Sequence, residues 1–227
     1  MRKKTITNGT QRLPGYTTLT LALCAILVAV SPSQARADRQ LTVPISVAAY
    51  TDQQVGFPTF VLKWDQGVQP DPLSLRWGRS QVPVRGAGMG SIQRAFQFAV
   101  ERLAASLHPT GTISLYATFS GPLTAEGTTA EAALAIGFLA LLKGDPLLKE
   151  ITITGTLEPD GRIGQVGQVQ EKTSAAARAG YRVLLVPRGQ FYAPRVNLIK
   201  ATSESNVLVR EVDTIEEAYE LMTGKKL

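Results

Sequence analysis

The stretch Ile151-Thr152-Ile153-Thr154-Gly155-Thr156-Leu157-Glu158-Pro159-Asp160-Gly161-Arg162-Ile163-Gly164-Gln165-Val166-Gly167 and its continuation through Lys172 to Pro187 sets the fold class. Ile151–Leu157 and Arg162–Val166 are rich in β-branched residues and flank Pro159-Asp160-Gly161, a turn in which proline presets φ and glycine supplies the reversal. Glu171–Ala179 follows with alanines at helical spacing and stops at Gly180. Arg182–Val186 is a short apolar run of the kind buried on both faces of a sheet. Two strands, a helix and a strand within 37 residues are expected from this segment alone.

Working outward, Val207–Val212 reads as another strand, and Thr214-Ile215-Glu216-Glu217 as the capping-box start of a last helix reaching about Met222. On the N-terminal side, Ala132–Leu142 is apolar all round and ends at Gly144-Asp145-Pro146, which predicts a buried central helix. Thr112–Phe119 alternates as a strand. Ile92, Ala95, Phe96, Ala99 and Leu103 recur at three- and four-residue steps, giving an amphipathic helix to about Ser106, with Ser91 expected as its cap after a glycine-rich loop at Arg85–Gly90. That loop lacks the further glycine or Gly-Lys-Ser/Thr spacing of a nucleotide-binding motif, and no Walker A sequence occurs anywhere, so no nucleotide partner is expected. Leu41–Tyr50, Pro58–Trp64 and Leu73–Trp77 read as strands. Strands and helices mix without strict alternation, so the class is α+β: mixed sheets packed with about four helices in a single compact domain.

The formal charge of +6 does not mark a nucleic-acid surface. Residues 1–37 carry five basic side chains and no acid, which leaves 19 basic against 18 acidic residues beyond them, and no polybasic face. Those first residues are ordered as a secretory signal peptide: a basic start, a 12-residue apolar run Leu19–Val30, and Ala35-Arg36-Ala37 as a small-x-small cleavage site. Cleavage after Ala37 would export residues 38–227 to the periplasm, cell envelope or exterior; the alternative is an uncleaved anchor, the one route to a membrane here. Cys24, the only cysteine, lies inside the leader, and His108 is the only histidine. A metal site, a disulfide and a Ser-His-Asp triad are therefore not expected, nor is a cofactor.

The run from Thr154-Gly155 through the hairpin turn, Gly167, Lys172 and Ala179-Gly180 to Val183-Leu184-Leu185-Val186-Pro187 resembles the proteolytic domain of the Lon protease family. That family shows a threonine-glycine strand, a turn, a glycine pair, a lysine two residues into the next helix, and an apolar strand closed by proline. The likeness is ungapped from Thr154 to Pro187, with Gln168 in place of the second glycine, and covers most of Val61 to Met222. It implies an endopeptidase acting on protein or peptide substrates through a Ser–Lys dyad, and with no Walker A sequence in the chain ATP-independent action is expected. The lysine corresponds to Lys172 and the threonine that hydrogen-bonds it to Thr154. The nucleophile of the family lies in Gly-Pro-Ser-Ala-Gly; here that place reads Gly127-Thr128-Thr129-Ala130-Glu131, so Thr129 stands at the serine position. Gly127, Thr128 and Ala130 then supply the loop and the oxyanion support, with Glu126 before them. Family members form hexameric rings, so an oligomer is compatible with the likeness.

The chemistry stands without the family. A hydroxyl attacks only when a base takes its proton, and a neutral lysine can do so. Lowering a lysine from near 10.4 to about 7–8 costs on the order of 4 kcal/mol, which burial and a helix N-terminus can impose. Against this stands a plain reading of the same residues. Thr128 and Glu131 have capping-box spacing, with Glu131 reaching back to the cap and Thr129 an ordinary first-turn residue. On that reading the chain is a catalytically degenerate domain, a peptide-binding or scaffold module of the envelope.

Overall fold

The computed structural model describes residues 40–46, 48–51, 54–66, 72–78, 87–118, 123–124, 128–192 and 198–227. The proposed leader lies outside them, as do Glu126 and Gly127. Alternation in Thr59–Asp65 (β4) turns Phe60, Leu62 and Trp64 inward. This strand pairs antiparallel with Gln40–Ser46 (β1) on one side and with Thr112–Ala117 (β6) on the other. Ser74–Trp77 (β5) closes the sheet, parallel to β6, in the order β1-β4-β6-β5. Ala49–Thr51 (β2), Gln54–Gly56 (β3) and Leu123–Thr124 (β7) make a small antiparallel sheet.

The core is organised around α2, Glu131–Lys143, in which residues 131–142 are all buried. This is the helix that the all-round apolar pattern predicts. Gly144 ends it in the left-handed conformation, φ 75°, with its N–H returned to the last turn. Ala87–Leu103 (α1) lays Ile92, Ala95, Ala99 and Leu103 against it, and Phe96 meets Phe138 edge-on at 5.5 Å between ring centroids. Burying a side chain the size of Phe138 stabilises by about 2–3 kcal/mol. Helix α5, Ile215–Thr223, adds Ala218, Tyr219 and Met222. Its start is the capping box read from sequence: Thr214 Oγ1 accepts the Glu217 N–H, and the Glu217 carboxylate reaches back to the N–H of Asp213.

Helix α1 corrects one expectation. It begins at Ala87, so the glycine-rich stretch is helical and Ser91 is a buried interior residue rather than a cap. Glycines at 88 and 90 cost about 1 kcal/mol each in a helix. The apolar stripe from Ile92 to Leu103, buried against α2, outweighs them.

A second sheet is wholly parallel: Ile151–Ile153 (β8), Val183–Pro187 (β11) and Leu208–Val212 (β12), in the order β12-β11-β8. Val169–Arg178 (α3) and Leu198–Ser205 (α4) lie in its crossovers. Leu184, Val186, Val207 and Val209 meet Val169 and Ala176 of α3 in a separate apolar cluster. Between β8 and α3, Thr156–Leu157 (β9) and Ile163–Gly164 (β10) form the expected hairpin, with Gly161 at φ 87° in its turn. The strand expected over residues 151–157 is therefore two strands, divided at Thr154-Gly155. The class is α+β as read from sequence, with five α-helices among the described residues. Among the described residues, no helix is long and apolar enough to cross a membrane.

Candidate active site

Thr128–Ala130 form one turn of 3-10 helix that runs directly into α2. This geometry removes the expected capping box. Ala130 is the cap residue, at φ −90° and ψ −10°, and no side chain caps the helix. Glu131, only 2% exposed, turns sideways instead. Its Oε1 accepts from the Arg94 guanidinium of α1 (Nε at 2.9 Å), and its Oε2 accepts the Leu157 N–H at 3.1 Å. A cap is worth about 1 kcal/mol, whereas an unpaired buried carboxylate costs several, so the ion pair takes the side chain.

The division between β8 and β9 places the next group. Thr154 donates its N–H to Leu185 O at 3.0 Å, which holds it beside β11, and its side chain is fully buried. The Thr154 hydroxyl donates to the Thr129 carbonyl at 3.3 Å, and the Gly155 N–H donates to the same oxygen at 3.0 Å. Gly155 O in turn accepts the Ala132 N–H at 3.2 Å. A β-carbon on residue 155 would collide with Cγ2 of Ile163 and sit 3.4 Å from the Ala132 side chain, so only glycine permits this approach. Residues 154–157 thus clamp residues 129–132 backbone to backbone. The structure brings Thr154 onto the main chain of Thr129.

Lys172 is the fourth residue of α3, because that helix begins at Val169, two residues before the expected start. It is 5% exposed, and no salt bridge reaches it among the described residues. Burial pushes its ammonium down to about 8, against a smaller opposing pull from the Glu171 carboxylate. At pH 7.5 roughly a quarter of such an amine is neutral, against about a thousandth of an ordinary lysine. The turn that delivers it is unusual: Gln168 lies at φ 56° and ψ 41°, the left-handed region that disfavours a side chain. That is the position where the resembled family has glycine. Before the turn, the buried Gln190 side chain grips Val166, accepting its N–H at 3.3 Å and donating to its carbonyl at 2.9 Å.

Arg94 and Gln190 are absent from the sequence reading. A carboxylate opening an otherwise apolar helix signals that a cation must meet it, but nothing local names Arg94. Gln190 carries no pattern at all. Among the described residues, no group of three His, Cys, Asp or Glu side chains is placed to hold a metal ion.

A buried amine of lowered basicity on α3 and a hydroxyl at the start of α2 are each present, with no hydrogen bond between Thr129 and Lys172 among the described residues. The sequence matches the Lon protease (S16) C-terminal proteolytic domain over residues 105–223. The chain belongs to that family. It is 28% identical over 97 residues to the archaeal Lon protease of Methanocaldococcus jannaschii, covering 43% of this chain and 14% of that protein. It is 30% identical over 103 residues to the archaeal Lon protease of Archaeoglobus fulgidus, covering 44% and 16% respectively. Against the Lon protease of Haemophilus influenzae the identity is 26% over 97 residues, covering 43% and 12%. The matched region spans about one-seventh of the length of these relatives.

Proposed function

We propose that this chain is an exported Lon-like peptidase in which Thr129 attacks the scissile carbonyl and Lys172 takes the hydroxyl proton. Bond formation from Thr129 Oγ1 to the carbonyl carbon gives a tetrahedral oxyanion, for which backbone N–H groups of the loop that carries Thr129 are the donors on this reading. Collapse expels the amine, which receives the proton from Lys172 and leaves an ester on Thr129. Water then attacks the ester, giving its proton to Lys172; collapse breaks the bond to Thr129 Oγ1, which takes that proton back from Lys172, and the acid product departs with hydroxyl and neutral amine restored. A hydroxyl that donates to Thr129 O can still accept, so on this reading Thr154 accepts from Lys172 and orients it. Export rests on the basic–apolar–Ala-x-Ala order of residues 1–37.

The observation that carries this reading is Lys172: an interior amine with no ion-pair partner among the described residues and a depressed pKa. A buried unpaired ammonium weakens the fold, and such groups cluster where a base is needed. The test is hydrolysis of labelled, denatured casein by the protein. Thr129→Ala is expected to abolish turnover, and Thr129→Ser to retain or raise it by removing the methyl that restricts χ1. The rate should climb with pH through about 8, because only the neutral amine accepts the proton.

A second reading is favoured by the departures at Thr129, Glu131 and Gln168: the fold retained as a peptide-binding or scaffold module. Wild-type protein that is inert but binds casein, and gains hydrolysis on Thr129→Ser, would select it.

A further inference from the structure

The carboxylate of Glu131 has both oxygens engaged, and by different parts of the fold. Oε2 is held by the Leu157 N–H of β9. Oε1 is held by Arg94, whose guanidinium also donates to the buried Ser91 hydroxyl at 3.3 Å and so is steered from within α1. Every other bond on the turn Thr128–Ala132 described above comes from residues 154–157. Among the described residues Arg94 is the one polar tie from α1, and it reaches the chain two residues after Thr129. The site sequence has also lost two devices that would otherwise shape this turn: threonine replaces proline at 128, and glutamate replaces glycine at 131, relative to the motif that Gly127–Glu131 resembles. Proline presets the first helical φ; threonine does not.

We propose that Arg94 is a positioning residue for Thr129, acting through Glu131. Resting on the hydrolase reading above, this assigns the ion pair the task of fixing the turn that carries the attacking hydroxyl. Without the ion pair, the first residue of α2 loses its tie to α1, and the turn that carries Thr129 is held from the side of residues 154–157 alone and shifts more freely; loss of the guanidinium by itself would also strand the carboxylate in the interior. Displacement of a reacting group by about 1 Å costs up to a hundredfold in rate. Arg94 itself is half-exposed, so its side chain can be changed without opening the core.

The test uses full-length protein bearing Arg94→Met and Glu131→Gln together. This pair strands no charge and keeps an acceptor for the Leu157 N–H. Two quantities are read: kcat and KM on labelled denatured casein, and amide hydrogen exchange at residues 129–132. The expected result is a kcat about tenfold or more below wild type with KM within about twofold. Exchange at 129–132 should be faster, while amides of β11 and α5 keep wild-type rates. Arg94→Lys, which keeps the cation, should recover part of kcat. Wild-type kcat in the double variant overturns the proposal, as does unchanged exchange at 129–132 or a loss confined to KM. If wild type and Thr129→Ala are equally inactive, the hydrolase reading fails, and the exchange arm alone decides whether the pair holds the turn.

Discussion

The two turns that deliver Thr129 and Lys172 are held in opposite ways. The Thr129 turn is saturated: its carbonyl takes two donors, Ala132 is bonded to Gly155, and Glu131 is paired on both oxygens. The Lys172 turn stores unfavourable energy. Gln168 sits in left-handed geometry with a side chain attached, and the ammonium four residues later is buried without an ion pair among the described residues. Gln190 grips the chain just before that turn. On the proposed mechanism the contrast has a reason: a nucleophilic hydroxyl needs only placement, whereas a lysine base must hold its proton less tightly than it does in water, and that opposes folding.

The largest effect that would break this contrast is at Lys172. Moving the amine from 10.5 to about 8 corresponds to ~3 kcal/mol against the folded state. Below pH 8 both folded and unfolded chains carry the charge, and the fold bears the whole cost. Between pH 8 and 10.5 the unfolded chain still holds the proton that the folded chain has released, so stability rises with pH. Lys172→Met should therefore abolish turnover yet raise stability by up to about 3 kcal/mol at pH 7, with the gain vanishing above about pH 10.5. Urea melts at three pH values measure it. A destabilised variant at pH 7 would place Lys172 among ordinary structural residues.

A smaller effect is expected at Thr154. Thr154→Val removes one of two donors to Thr129 O, at a cost of about 1 kcal/mol in stability. If the hydroxyl also orients Lys172, turnover should fall by about tenfold, the equivalent of ~1.4 kcal/mol in the barrier. Denaturant melts beside casein hydrolysis separate the two losses. An unchanged rate would leave Thr154 a clamp on the backbone alone.

The smallest effect sharpens the comparison. Gln168→Gly should stabilise by about 1 kcal/mol, since glycine adopts φ 56° without a steric cost. A thermal melt suffices. Loss of stability would mean that the Gln168 side chain contributes more than its backbone costs.

The sequence made the frame legible wherever a local signal and the tertiary fold agree. Pro159-Asp160-Gly161 turns, Gly180 stops a helix, Thr214 caps one, and the unbroken apolar run of α2 is buried on every side. Reading failed where a distant partner decides. Thr128 and Glu131 have the spacing of a capping box, but Arg94, 37 residues earlier, claims the carboxylate. Gly88 and Gly90 suggest a loop, yet packing against α2 carries the helix through them. Leu198–Ser205 is too polar to announce α4, and the parting of β8 from β9 depends on Gly155 meeting Ile163. The residues resembling the family's site were visible as letters; that Thr154 binds the main chain of Thr129 was not, because a hydroxyl leaves no periodicity.

Helix α2 is a rod of 13 residues, about 20 Å long at 1.5 Å per residue, sheathed along its length. A rod so enclosed cannot slide or roll without disturbing its whole casing, and Thr129 rides on its tip. The address of the hydroxyl is therefore written partly at the far side of the core, in pairs such as Phe96 against Phe138. On the proposed mechanism, substitutions there would retune the reacting end by leverage, and a search for faster variants has as much to find along the shaft as at the point.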